Sequence, residues 1–186
     1  TFCFRGVFGN RPRLRSAENV VEEMEVLTSR FKAQEIRIYD DTFNLDPNRV
    51  KAICELLIRR RLNVPWTCQA RVDPIDRPML ELMKRAGCWQ ISYGIESGND
   101  AILRGVAKGI TRDAAQKAVE VTHRVGIRSL GFFILGLPGE TERTMRETID
   151  LAKRLPLDAA NFSVATPYPG TALWALARRR GLVDHV

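Results

Sequence analysis

Trp66-Thr67-Cys68-Gln69-Ala70-Arg71 is the stretch that decides the fold. Its apolar members Trp66, Cys68 and Ala70 alternate with Thr67, Gln69 and Arg71, the period-two signature of a strand with two unlike faces. The alternation returns at 89–96, where Gln90, Ser92 and Glu96 oppose Ile91, Tyr93 and Ile95, and at 160–166, where Asn161 and Ser163 oppose Phe162 and Val164. Outward from these runs, strands alternate with amphipathic helices. A helix is expected at 17–32, capped by Ser16 and carrying the stripe Val20, Val21, Met24, Leu27 and Phe31. A strand at 35–40 precedes a helix at 48–61 introduced by Asp46 and Pro47, and the strand at 64–71 precedes a helix at 76–86 ended by Gly87. The strand at 89–96 leads to a short helix at 100–106 and a longer one at 111–125, closed by Gly126. Strands at 129–136 and 160–166 lead to helices at 142–154 and 172–180.

Strand starts at 35, 64, 89, 129 and 160 have the spacing of βαβ units, and no hairpin signal falls between them. The sheet is therefore expected to be all parallel with right-handed crossovers. Parallel strands covered on both faces are continuous apolar runs, which these are not. A closed eight-stranded barrel packs its interior with Val, Ile and Leu. A sheet with one polar face along its whole length implies a wider, partly open barrel holding a ligand. The expected fold is α/β, a partial (β/α)6 TIM-like barrel whose first strand lies before Thr1, with 1–186 a single domain of a longer protein. An open sheet is the alternative.

The 186 residues are 45% hydrophobic and 27% charged, enough for one sizeable core. No run approaches the ~18 apolar residues of a membrane span, so neither a membrane protein nor a secretory precursor is expected. The net charge of +7 is local: Arg5, Arg11, Arg13 and Arg15 lie in an opening with no acid, and Arg178, Arg179 and Arg180 stand together. Two readings stand open, an arm attracting an anionic substrate or RNA, and a solvated loop with a dipole-compensated helix end. Cys54, Cys68 and Cys88 sit in apolar periodic surroundings that imply burial, whereas Cys3 lies in a Gly- and Arg-rich segment with nothing to bury it. The spacings fit neither a metal knuckle nor a disulfide framework, which points to a reducing, cytoplasmic setting.

Ligands of parallel α/β folds bind at the C-terminal ends of the strands. The residues there are Asp40-Asp41-Thr42-Phe43, Arg71-Val72-Asp73, Gly94-Ile95-Glu96-Ser97-Gly98-Asn99, Gly136-Leu137-Pro138-Gly139-Glu140-Thr141 and Pro167-Tyr168-Pro169-Gly170-Thr171. Each has a structural reading too: the aspartates as turn residues, the glycines as tight turns, Glu96 and Ser97 as caps of the short helix, Thr141 and Thr171 as N-caps. Their convergence on one rim points to a site.

Thr1-Phe2-Cys3 resembles the end of the signature Cys-x-x-x-Cys-x-aromatic-Cys of the radical S-adenosylmethionine superfamily, and the later motifs follow in that family's order across the whole chain. The similarity is strongest to the branch whose members often carry an upstream cobalamin-binding domain. The resemblance implies an enzyme that uses a 4Fe-4S cluster to cleave S-adenosylmethionine reductively to a 5'-deoxyadenosyl radical. That radical acts on a small organic substrate, with an electron donor such as flavodoxin or ferredoxin as partner; cobalamin, on a domain outside this chain, is the further cofactor implied. Carried over by position, Cys3 is a cluster ligand and Phe2 lies by the adenine. Asp40 and Asp41 stand where the family has a Gly-Gly-Glu stretch and accept from the cofactor's ammonium group. Glu96 and Ser97 meet the ribose or methionine moiety, Lys108 or Arg71 balances the methionine carboxylate, and Ile134, Gly136 and Tyr168 flank the adenine. Two further cluster cysteines are expected before Thr1, so residues 1–186 alone should not run the chemistry. Candidate activities are cobalamin-dependent methyl transfer, ring formation and RNA methylthiolation; a non-catalytic RNA-binding relative is the remaining alternative.

Overall fold

The computed structural model describes residue 9 and residues 12–183. Five strands form one parallel sheet in the order β1 (Ile36–Ile38), β2 (Trp66–Ala70), β3 (Cys88–Glu96), β4 (Arg128–Leu135) and β5 (Ala159–Val164). Seven α-helices connect or flank them among the described residues: α1 (Ala17–Ser29), α2 (Pro47–Arg59), α3 (Arg77–Arg85), α4 (Asp100–Gly105), α5 (Arg112–Val125), α6 (Glu142–Arg154) and α7 (Ala172–Arg179). The spatial order of the strands equals their order in the chain. A doubly wound sheet reverses direction at a switch point, and this one does not, so the winding is that of a barrel wall.

Local chemistry sets the helix starts. Ser16, Asp46, Asp76, Asn99, Thr111, Thr141 and Thr171 each accept a backbone N–H of the first turn, which replaces the missing intrahelical partner. The short helix α4 is thus capped by Asn99, and the expectation that Glu96 or Ser97 caps it is corrected. β1 and β2 are shorter than the sequence suggests, because hydrogen-bonded pairing ends where the loops diverge, whereas β3 and β4 fall within one residue of the expected bounds. Helix α1 ends at Ser29, before Phe31, which is 66% exposed and not part of the buried stripe.

The core lies between the outer face of the sheet and the helices. Trp66, Ile91, Tyr93, Phe133, Ile53, Leu57, Leu80 and Met83 are fully or almost fully buried there, each side chain contributing about 1.5–3 kcal/mol of transfer free energy. On the inner face, Thr67 faces Gln90, Gln90 faces Arg128, and Gln69 faces Ser92, as the alternation requires. The expectation of an unbroken polar face is corrected at β4, whose register brings Leu130 and Phe132 opposite Ser92 and Gly94. A second correction concerns β5. It pairs only with β4, which leaves one edge open, and its residues are exposed on both faces, with Phe162 stacked on Phe133 at 5.1 Å and Val164 exposed. No helix among the described residues is long and apolar enough to cross a membrane.

Candidate functional site

Asp40 stands two residues past the end of β1, and Asp41 is exposed beside it. A 3-10 turn, Phe43–Leu45, pins the loop they occupy. Phe43 is buried against Trp66, ring centres 5.4 Å apart, and Asn44 is buried with its amide fully used. Its Nδ2 donates to the carbonyls of Arg71 (2.9 Å) and Pro74 (3.1 Å), and its Oδ1 accepts from Arg71 N (2.9 Å). One side chain therefore joins the loop after β1 to the loop after β2. Asp40 Oδ2 accepts from Arg49 Nη1 at 3.4 Å.

Arg71 forms a two-pronged pair with Asp73, Nε–Oδ1 3.1 Å and Nη2–Oδ2 3.2 Å, and also reaches the carbonyls of Lys108 and Gly109 at 3.4 Å. Lys108 Nζ meets Glu96 Oε1 at 2.7 Å, with the two side chains 19% and 9% exposed. Glu96 has a left-handed backbone, φ +68°, at the point where the pairing of β3 with β4 shifts register. The ion pair occupies the space a side chain at Gly94 would need: a Cβ there would stand 2.7 Å from Glu96 Oε1 and 2.8 Å from Lys108 Nζ. Glu96, Lys108 and Arg71 therefore form one charged cluster at the ends of β2 and β3.

Ser97 is fully buried, and its hydroxyl is engaged with Thr148 Oγ1 (3.2 Å) and Asn99 N (3.2 Å). It secures the β3–α4 turn to α6. After β4, Gly136 (φ +85°) and Gly139 (φ +86°) make a turn that curls around Glu140. Glu140 Oε2 accepts from Gly136 N (2.6 Å) and Leu137 N (2.9 Å), while its Oε1 is buried without a hydrogen-bond partner. A cleft of about 510 Å³ opens beside this turn, lined by Ile134, Leu137, Val164, Thr166 and Tyr168, the last 62% exposed.

The structure thus gathers Arg71, Glu96 and Lys108 in one cluster and Ile134 with Tyr168 around one cleft, with Gly136 in the turn at its edge. Asp40 and Asp41 stand at the end of β1. Phe2 and Cys3 lie outside the described residues. Arg49, Asn44, Thr148 and Glu140 were not among the sequence candidates. Of these, only Glu140 stood in a quoted motif; Asn44 and Thr148 act on partners 27 and 50 residues away, and Arg49 on Asp40 nine residues away and on Arg15 34 residues away.

These residues suit a zwitterionic nucleoside such as S-adenosylmethionine. The cleft falls within the ~300–1,000 Å³ usual for small-molecule sites. The glycine cradle at Gly94 holds a cation and a carboxylate together. An iron–sulfur cluster is different. Cys54, Cys68 and Cys88 are buried thiols; burial pushes Cys54 up to about 12 and Cys88 well above its ordinary 9.0. Protonated thiols are poor iron ligands, and no group of three or more metal-ligating side chains occurs among the described residues. The described donors do not fit a cluster.

A family model, the Radical SAM superfamily, matches residues 1–152. An uncharacterised methyltransferase from Pyrococcus horikoshii is 38% identical over 183 residues, 98% of this chain and 40% of that protein. An anaerobic magnesium-protoporphyrin IX monomethyl ester cyclase from Rubrivivax gelatinosus is 31% identical over 176 residues, 94% of this chain and 32% of that protein. Among solved structures, the radical S-adenosylmethionine methyltransferase TsrM from Kitasatospora setae, with cobalamin and a 4Fe-4S cluster bound, superposes with a TM-score of 0.84. It is 24% identical and the match covers 92% of this chain and 35% of that one, a likeness of fold. The chain spans two fifths or less of the length of these relatives. With the family model matching most of its length and the strand-end cluster in the same wall, this chain belongs to the radical SAM superfamily.

Proposed function

We propose that this chain is the S-adenosylmethionine-binding core of a radical methyltransferase that works with cobalamin carried on another part of the whole protein. One observation carries the reading: a carboxylate after β1, a buried lysine–glutamate pair after β3 and an open cleft between β4 and the segment after β5 stand on one rim. Methyl transfer is preferred to ring formation because the relative from Pyrococcus horikoshii is named a methyltransferase.

In this reading Asp40 and Asp41 accept hydrogen bonds from the amino group of S-adenosylmethionine, a charge-assisted contact. Lys108 balances the carboxylate at the same end, and Glu96, held by Lys108 above Gly94, accepts from the ribose hydroxyls. Ile134 and Tyr168 flank the adenine beside the turn made by Gly136. Ser97 keeps its place in the cofactor-binding set through the turn it secures to Thr148. Cys3, with Phe2 beside it, is assigned to the 4Fe-4S cluster, which supplies the electron for reductive cleavage of the cofactor when bound. Arg71 steadies the Lys108 backbone and keeps that cation at the rim. A small organic substrate and a flavodoxin- or ferredoxin-like donor complete the scheme.

The test uses the whole protein, purified and loaded without oxygen. Cluster absorbance, S-adenosylmethionine binding and release of 5'-deoxyadenosine on reduction are expected, with methyl incorporation when cobalamin is present. A fully loaded protein that neither binds nor cleaves S-adenosylmethionine overturns the reading. Cleavage without methyl transfer redirects it to another radical outcome.

A further inference from the structure

We infer that Arg49 is a positioning residue that sets the Asp40 carboxylate for the cofactor's ammonium group and ties it to the segment leading into α1. The inference rests on the proposed contact between Asp40 and S-adenosylmethionine. Arg49 lies in the first turn of α2, and its side chain is only 10% exposed. Its Nε donates to the carbonyl of Arg15 at 2.9 Å, its Nη1 approaches Asp40 Oδ2 at 3.4 Å, and its guanidinium carbon lies 5.8 Å from the centre of the Phe43 ring. Each contact belongs to a different element: the entrance to α1, the end of β1 and the turn after it.

This arrangement uses three properties that occur together only in arginine: a permanent charge, a planar fork with separated donors, and a face that stacks on an aromatic ring. Asp40 is 39% exposed, so without a partner its carboxylate is free to rotate in water. Contact with Arg49 restrains one oxygen, Oδ2, and leaves Oδ1 available. A carboxylate fixed at one oxygen offers the other to an incoming ammonium group at lower conformational cost.

The experiment measures equilibrium binding to the whole anaerobic protein, not turnover, using S-adenosylmethionine and 5'-methylthioadenosine, which lacks the amino acid moiety. For Arg49→Met the Kd for S-adenosylmethionine is expected to rise about tenfold, the scale of one charge-assisted contact, with Kd for 5'-methylthioadenosine unchanged. Asp40→Asn should give a similar selective loss, and the double variant should be no weaker than the worse single one. Arg49→Lys, which keeps charge but not the fork, should fall in between, and it carries the test if Arg49→Met does not fold. Equal weakening of both ligands, additive losses, or unchanged S-adenosylmethionine binding in a folded Arg49 variant overturns the inference. If Asp40→Asn alone binds S-adenosylmethionine like the parent, the proposed Asp40 contact fails, and this inference fails with it.

Discussion

Asn44 shows how much one residue can organise without touching a ligand. Its carboxamide, itself fully buried, satisfies the N–H and carbonyl of Arg71 and the carbonyl of Pro74. Truncation to alanine orphans these groups at roughly 1–3 kcal/mol each for those that cannot recruit water. Asn44→Ala is therefore expected to lose about 3 kcal/mol in urea unfolding; a loss under about 0.5 kcal/mol would show that the loop rearranges to satisfy itself. The Glu96–Lys108 pair gives a second residue-scale expectation. Lys108→Met strands a carboxylate that is 9% exposed, and breaking a buried pair from one side costs about 3–5 kcal/mol, discounted here to roughly 2–3 because Lys108 keeps some solvent contact. Adding Glu96→Leu should recover most of that stability and none of the S-adenosylmethionine binding; a double variant as unstable as Lys108→Met speaks against the pairing. Glu96 and Asp40 were legible in the sequence as members of strand-end motifs, and Lys108, which follows the short helix α4, only through the family resemblance. Their partners were not, since the pairing of Asp40 with Arg49 depends on how the start of α2 folds back on the end of β1, and that of Asn44 with Arg71 on how two loops approach in space.

At the scale of elements, helices were legible to within a few residues because their signals are local: a capping side chain at one end and an apolar stripe along one face. Strand ends were less legible, because pairing with a neighbour decides them. The apolar inner face of β4 escaped notice for the same reason: Leu130 and Phe132 alternate with Gly131 and Phe133, so no polar partner marks which face is which. The junction of the β3–α4 turn with α6 was also invisible in the sequence. Gly98 N donates to Thr148 Oγ1 at 2.9 Å, and a Cβ at Gly98 would stand 2.6 Å from the carbonyl oxygen of Glu147 and 2.7 Å from Thr148 Cα. Both obstacles are backbone, so the whole helix must retreat. Gly98→Ala is expected to destabilise the protein by about 2–3 kcal/mol, with hydrogen-exchange protection lost first in α6. Unchanged protection there would mean that the turn, not the helix, absorbs the added methyl group.

At the scale of the whole molecule, the wall has a division of labour: polar groups lie at the strand ends and along the inner face outside the apolar stretch of β4, and the thiols and the Tyr93 phenol lie in the dry layer under the helices. That division makes stability depend on alkaline pH. Burial raises Cys54 from 9.0 to about 12, raises Cys88 well above 9.0, and raises Tyr93 above its ordinary 10.0 even though Thr122 bonds its hydroxyl at 2.8 Å. Above pH 9 the unfolded chain releases thiol protons that the folded chain retains. The stabilisation is thus complete below the unfolded values and drains away as pH climbs toward the folded ones, by up to about 1.4 kcal/mol per pH unit for each group. Urea midpoints should be nearly flat between about pH 7 and 8.5 and fall steeply from about pH 9 to 11. Cys54→Ala combined with Cys88→Ala should flatten part of that fall, leaving the share due to Tyr93 and surface lysines. Alkylation gives a second readout, since Cys54 and Cys88 should react with iodoacetamide only as fast as the core opens. Rapid labelling of either thiol in the folded protein, or identical urea midpoints at both ends of the alkaline range, would place these groups in contact with water and undo the assignment of a dry layer behind the site.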